Sequence, residues 1–282
     1  MKSLIKVKPR KIYNTVVNYL DKNSAVLQWA TEGIIKKNWG DKLNPYLIKV
    51  ISGKRVFHRS EVYPWPPFTV HYCVGSHLST AMSDPNASIW GSGFISYDAP
   101  VIGRPKAIHA VRGWLSVSHL KENGVEPPSV VGDPALLLPR FYSPKPSEKK
   151  YSMGIIPHCT EWTEPFYLQA RKWENTCLID ITGDIEEVVD RINSCDIIVS
   201  SSLHGIICAD SYGVPSLWIK VSDKPLGDGF KFRDYFSSVG RDCWNPVIVD
   251  SSTKKMDLER CFHNYKINID LDALLRVFPL GV

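Results

Sequence analysis

In the second half of the chain, short apolar runs alternate with segments whose apolar residues recur at helical spacing. Tyr151 to Ile156 is one such run, and a turn follows at Pro157-His158. Thr163-Glu164-Pro165 opens a helix that carries Phe166, Leu168 and Ala170. Leu178 to Ile181 reads as a compact buried strand. Asp184 is then placed to cap a helix whose Ile185, Val188, Val189 and Ile192 share one face. Asp196 to Ser200 is the next strand. A helix from about His204 to Tyr212 stops at Gly213, a C′ position, and Pro215 to Ile219 is a further strand. Short apolar strands separated by helices of about ten residues predict a parallel sheet covered by helices on both faces.

The first half follows the same rhythm. Asn44-Pro45 has the form of an N-cap followed by proline at N1, which predicts a helix ending near Gly53. Val70 to Val74, Ser88 to Trp90 and Ala107 to Val111 read as strands, and Trp114 to Lys121 as a helix ending near Gly124. Val130-Val131-Gly132-Asp133-Pro134 reads as a strand running into a capped short helix, Ala135 to Leu138. Pro139 to Lys150 holds three prolines and little apolar content, as a linker does. The expectation is an α/β protein of two lobes, residues 1–140 and 151–282, with a ligand cleft between them. The amphipathic last helix, about Leu271 to Phe278, is placed to pack back across a lobe.

Composition is that of a globular protein: 282 residues, 44% apolar and 22% charged. The formal net charge is +5, and Lys2, Lys6, Lys8, Arg10 and Lys11 open the chain with no acid among them. That cluster is either a solvated terminus or a point of attraction to an anionic membrane face. The seven cysteines are scattered, with no C-x-x-C pair, which argues against a disulfide framework or a zinc site and for a reducing compartment. Charges interrupt every apolar stretch, so neither a signal peptide nor a membrane span is expected. The expected location is cytoplasmic, with peripheral contact at the inner membrane face left open. No nucleic-acid module, P-loop, zinc helix or G-x-S-x-G elbow is present.

Candidate chemistry clusters at strand-to-helix turns. Ser200-Ser201-Ser202-Leu203-His204-Gly205 joins a buried strand to a helix start, where backbone N–H groups and hydroxyls can hold an anion and a histidine can exchange protons. The alternative is that the serines only cap the helix and His204 is a hydrogen-bonded core residue. Arg112, in Val111-Arg112-Gly113-Trp114, is either a fork for carboxylate or phosphate or a salt-bridged structural arginine. Asn38-Trp39-Gly40-Asp41 is a turn-like loop that could seat a sugar or phosphate or be an ordinary turn; Trp90-Gly91-Ser92-Gly93 is another glycine loop after a strand and lacks the G-x-G-x-x-G pattern of a dinucleotide site. Lys224, Lys231 and Arg233 lie beyond the strand that follows the His204 helix and can neutralise an acidic ligand; His158 follows another strand.

Ser201-Ser202-Leu203-His204-Gly205-Ile206-Ile207-Cys208-Ala209-Asp210-Ser211-Tyr212-Gly213-Val214-Pro215 resembles the hallmark segment of the polysaccharide pyruvyltransferase family. Asn38-Trp39-Gly40-Asp41, Trp90-Gly91-Ser92-Gly93-Phe94, Val111-Arg112-Gly113 with Ser116, and Gly132-Asp133-Pro134 occur in that family's order, over about residues 38 to 235. The resemblance implies two Rossmann-like lobes in a GT-B-like arrangement, phosphoenolpyruvate as donor, and a sugar or lipid-linked oligosaccharide as acceptor. It implies His204 and Arg112 as catalytic, with Ser201, Ser202, Leu203, Gly205, Lys224, Lys231 and Arg233 around the donor. Asn38, Gly40, Asp41, Gly91, Ser92 and His158 are then expected on the acceptor side or in the cleft. No metal or cofactor is implied; phosphoenolpyruvate is a co-substrate. Several family members carry arginine where this chain has Ser202, so Arg233 or Lys231 would have to supply that cation. Two other readings remain open on the residues alone. One is a GT-B glycosyltransferase using a nucleotide sugar. The other is a carbohydrate-binding module exploiting the nine tryptophans and twelve tyrosines.

Overall fold

The computed structural model of the chain describes residues 8–31, 38–144 and 148–281. It contains two five-stranded sheets. The first comprises β1 (Ser24–Leu27), β2 (Arg55–His58), β3 (Val70–Tyr72), β4 (Ala87–Trp90) and β5 (Ala107–Ala110), in spatial order β2-β1-β3-β4-β5. The second comprises β6 (Tyr151–Ile156), β7 (Thr176–Leu178), β8 (Cys195–Ser200), β9 (Ser216–Lys220) and β10 (Val247–Ile248), in order β10-β9-β8-β6-β7. Every pairing is parallel. Counted within its own lobe, each sheet has the same order: second strand at one edge, then first, third, fourth and fifth. This is the doubly wound topology whose crevice opens between the first and third strands, at their carboxyl ends. The chain is therefore an α/β protein of two Rossmann-like lobes.

The helices are α1 (Pro9–Leu20), α2 (Trp39–Ser52), α3 (Leu78–Met82), α4 (Trp114–Glu122), α5 (Pro165–Ala170), α6 (Ile185–Asn193), α7 (Leu203–Ser211), α8 (Phe230–Ser238), α9 (Lys255–Arg260) and α10 (Leu271–Arg276), with a 3-10 helix at Pro134–Arg140. The apolar faces that predicted α6 are buried: Ile185, Val188, Val189 and Ile192. Two boundaries differ from the pattern-based expectation. Helix α2 begins at Trp39 with Asn38 as its cap, so Pro45 lies inside the helix. The carbonyl of Asp41, which Pro45 cannot satisfy, is reached by the Asn44 side-chain amide at 3.4 Å; that amide also donates to Gly40 O at 3.2 Å. Strand β7 ends at Leu178, and of the expected run only the Ile179 N–H reaches back to Ile155 O, at 2.9 Å. Ile181 is buried without joining the ladder, because an apolar run reports burial and not pairing. The 3-10 helix runs to Arg140, into the proline-rich segment, and residues 145–147 of that segment lie outside the described residues.

A buried ionic seam joins the lobes. Helix α4 starts at Gly113, which offers no capping side chain. Its first-turn N–H groups are satisfied from α8: Ser116 N–H donates to Asp234 Oδ1 at 2.8 Å, and Trp114 N–H to Ser237 Oγ at 2.9 Å. Ser116 Oγ donates to Asp234 Oδ2 at 2.7 Å, and Arg112 Nε donates to the same oxygen at 3.0 Å. Arg112 and Asp234 are both fully buried. A Cβ on Gly113 would overlap the Asp234 backbone, so glycine is what lets the two helices meet. A second contact crosses from the first sheet to the end of the chain: Trp90 Nε1 donates to Leu274 O at 2.9 Å, and the Trp90 ring lies obliquely against Phe278 at 4.7 Å. The last helix thus lies against the first lobe.

Removing one member of a buried ion pair strands the other. Asp234→Ala is expected to lower the free energy of unfolding by about 3–5 kcal/mol, with the double variant Arg112→Met/Asp234→Leu recovering part of that loss. Urea denaturation of the three proteins measures it.

Candidate functional site

The carboxyl ends of both sheets face one cavity of about 450 Å³. Its wall takes Asn38 and Asp41 from the tip of α2, Ser76 and His77 from the loop after β3, His158 to Thr160 from the turn after β6, Ser202 to His204 from the turn after β8, and Lys224, Leu226 and Lys231 beyond β9. Both crossover switch points therefore open into the same space, which parallel α/β topology favours for ligands.

The tip of α7 presents free backbone donors to the cavity. Ser200 Oγ accepts from Ser202 N–H at 3.0 Å and donates to Ile156 O at 3.1 Å, which pins the turn to β6. The N-cap Ser202 spends no side-chain hydrogen bond on the helix. Among the described residues, no acceptor meets the N–H groups of Leu203 and His204. These first-turn donors carry the positive end of the helix dipole. The Ser201 hydroxyl is occupied differently. It donates to the fully buried Glu161 at 2.5 Å, receives His158 N–H at 2.9 Å and contacts Tyr167 OH at 2.7 Å. Gly205 packs against Ser200 and Ile156, where a Cβ would collide.

His204 crosses from the second lobe to the first. Its ring lies over Gly40 so closely that a Cβ there would overlap it. Its Nε2 is buried with no hydrogen-bond partner, 3.9 Å from Asp133 Oδ2, which is also buried and unpartnered. The other Asp133 oxygen caps the 3-10 helix, accepting from Ala135 N–H at 3.0 Å. Burial holds the imidazole down to about 3, so it is neutral across the physiological range. Burial lifts the Asp133 carboxyl to about 6. Two groups of displaced titration thus face each other in a dry contact, an arrangement concentrated at functional sites. Nearby, His77 Nε2 sits 3.1 Å from Asp41 Oδ1, and Asp41 accepts Ala30 N–H at 2.9 Å. His158 is held neutral by burial, down to about 4, with Nδ1 on Thr160 Oγ1 at 2.8 Å.

The cations separate by their partners. Lys231 has no hydrogen-bond or ion-pair partner among the described residues, and burial, together with Arg112, lowers its ammonium to about 8. Lys231 is held at the first turn of α8 between Phe230, which meets Tyr97 edge-on at 4.4 Å, and Phe232, which stacks on Trp218 at 4.5 Å. Lys224 is paired with Glu164 at 2.5 Å. Arg233 faces a neighbouring cavity of about 470 Å³ and donates to Trp244 O at 3.5 Å and to Asp228 O. Arg112 stands behind the wall of the first cavity, committed to Asp234, to Phe94 O at 2.6 Å and to Ser76 Oγ at 2.8 Å. Gly91 and Ser92 lie off the cavity. Gly91 has φ +89° and packs on Pro134; Ser92 Oγ accepts His77 N–H at 3.1 Å and donates to Gly75 O at 3.0 Å, which orders the loop carrying Ser76 and His77.

The residues brought together at the cavity are thus His204, Ser202, Leu203, Lys231, Lys224, Asn38, Asp41 and His158, with Gly40 under the His204 ring. Asp133 and His77 were not among the expected site residues. Asp133 carries a legible cap signal, but nothing linear shows what its second oxygen faces. Among the described residues, no group of three or more His, Cys, Asp or Glu is arranged to hold a metal ion.

A family model described as polysaccharide pyruvyl transferase matches residues 85–223. The chain is 32% identical over 232 residues to "Succinoglycan biosynthesis protein ExoV" of Rhizobium meliloti (strain 1021), covering 77% of this chain and 66% of that protein. This chain belongs to the polysaccharide pyruvyl transferase family. It is also 35% identical over 249 residues to "Uncharacterized protein L143" of Acanthamoeba polyphaga mimivirus, covering 84% of this chain and 83% of that protein. No solved structure matches significantly. The pyruvyl transferase match takes in Arg112, Asp133, His158 and His204, whereas Asn38 to Asp41 and Lys231 lie outside it and join the site only through the fold.

Because the His204 ring rests on the Gly40 backbone, Gly40→Ala is expected to displace the imidazole. Turnover should fall by about 100-fold, the size of loss a displacement near 1 Å produces, with little change in urea midpoint. Steady-state kinetics beside an unfolding curve test this.

Proposed function

We propose that the protein transfers the pyruvyl group of phosphoenolpyruvate to two hydroxyls of one sugar, forming a cyclic ketal during polysaccharide assembly. The observation that carries this reading is the unpaired, buried Lys231 ammonium sharing one cavity with the free helix-tip N–H groups of α7 and the neutral His204 ring. A donor with a carboxylate and a phosphate needs both a cation and directed N–H groups. Lys231 offers the cation, and is favoured over Lys224, whose charge Glu164 already engages. The hydroxyl of Ser202 adds a donor where several family members carry arginine.

In the reaction, one sugar hydroxyl attacks the central carbon of the donor as its methylene carbon takes up a proton. The second hydroxyl then closes the ring as phosphate leaves. The two hydroxyl protons end on the new methyl group and on phosphate, so no external acid or base is consumed. A neutral imidazole suits this relay. His204 begins able to accept the first hydroxyl proton, and Asp133, 3.9 Å from Nε2, is placed to stabilise the imidazolium formed before the proton passes on. The acceptor side is the first-lobe face. A second cavity of about 640 Å³, lined by Trp29, His58 and Arg59 at the carboxyl ends of β1 and β2, shares Ala30 with the donor cavity.

Release of inorganic phosphate from phosphoenolpyruvate, screened over sugar acceptors with mass spectrometry of the product, tests the reading. Stabilisation by nucleotide sugars and not by phosphoenolpyruvate would assign a glycosyltransferase instead. His204→Ala is expected to lower kcat by about 10²–10⁴-fold. Lys231→Gln is expected to raise KM for the donor by about 10- to 100-fold. Because the Lys231 ammonium is lowered to about 8, kcat/KM for the donor should fall as pH rises through about 8, as the free enzyme loses that charge. The Lys231→Gln profile should lack that limb.

A further inference from the structure

Helix α1 is amphipathic in the reverse of the usual sense. A helix on the outside of a globular protein normally buries its apolar stripe. Here the buried side chains of α1 are Asn14 and Thr15. Asn14 Nδ2 donates to Glu61 O at 3.2 Å, and Thr15 Oγ1 accepts Tyr63 N–H at 2.8 Å. Ile12, Tyr13, Val16, Tyr19 and Leu20 point to solvent, with exposures from 44% at Ile12 to 72% at Leu20. At 100° per residue these five occupy one arc of roughly 120°.

Charge singles out the same region. Of the first 22 residues six are basic (Lys2, Lys6, Lys8, Arg10, Lys11 and Lys22) and one is acidic (Asp21). The remaining 260 carry 28 basic and 28 acidic residues, so the whole formal excess of +5 belongs to this stretch. Lys8 stands one turn before Ile12 and Arg10 three residues before Tyr13, so cations border the apolar arc. An apolar arc with aromatic members and a basic border is the pattern of a helix lying in a bilayer interface. A protein partner of ordinary surface would satisfy the apolar face and leave the charge unexplained. An anionic lipid surface satisfies both. No helix among the described residues is long and apolar enough to cross a membrane.

We propose that α1 seats this protein on anionic lipid bilayers, with Ile12, Tyr13, Val16, Tyr19 and Leu20 entering the headgroup–acyl boundary and Lys8 and Arg10 at the rim. The proposal is independent of the reaction proposed above, because none of these side chains lines the His204 cavity.

Flotation of the full chain with phosphatidylcholine vesicles, with and without phosphatidylglycerol, tests it. The protein should float with the anionic vesicles and not with the neutral ones. Val16→Ser/Leu20→Ser should lower the partition coefficient by at least about ten-fold, and Lys8→Glu/Arg10→Glu should do the same. Both side-chain pairs are exposed, so the urea midpoint should not move. Three results would overturn the proposal: no flotation with anionic vesicles, flotation unchanged in both double variants, or a lipid-independent dimer that Val16→Ser/Leu20→Ser dissolves. The last would assign the face to a second copy of the chain.

Discussion

The carboxylate of Asp234 governs how this molecule is put together. It lies on α8 of the second lobe, yet it caps α4 of the first and neutralises the buried Arg112 guanidinium. A charge pair with no solvent around it tolerates little displacement, since either group alone would be stranded in a medium that cannot solvate it. The seam therefore holds α8 in register with the first lobe. Lys231 lies three residues before Asp234 on that helix, so the same contact that joins the lobes also sets the position of this buried lysine at the cavity wall. The geometry of this cavity wall and the interdomain geometry are the same constraint.

Dryness is the second theme. Desolvation keeps His204 neutral, lifts the Asp133 carboxyl and lowers the Lys231 ammonium. Each shift is a cost of burial that the surrounding protein offsets only in part. Two unmatched polar atoms meet here: Nε2 of His204 and Oδ2 of Asp133 face each other, and the N–H groups at the tip of α7 open beside them. Protein interiors seldom leave such groups unpaired, and where they do the gap calls for a functional reason.

Much of this was legible in the chain before any coordinates. The alternation of apolar strands with helical spacing identifies two parallel sheets, because strand and helix periods are local properties that a side chain shares with its near neighbours. Strands β6, β8 and β9, helix α6, and the Ser200–Gly205 turn at the tip of α7 follow from that logic, and the motif order pointed to the pyruvyl transferase family. Helix α1 and strands β1 and β2 were not among the expected elements, although α1 carries a regular apolar arc. The N-terminus of α2 was misplaced because the proline signal is normally read as a helix start; only the long reach of the Asn44 amide makes Pro45 tolerable inside.

The chain by itself thus determined its layers and the strand-to-helix turns at the carboxyl ends of its strands, Ser200–Gly205 among them, since these depend on contacts a few residues long. Tertiary structure alone decided what those turns meet. Arg112 serves a carboxylate 122 residues away, Asp133 faces a histidine from the other lobe, and Lys231 rather than Lys224 is left with its charge free. Such choices turn on which distant group fills the coordination of a buried charge. No spacing along a sequence encodes that, because it is settled only when both lobes are packed and water has been excluded from between them.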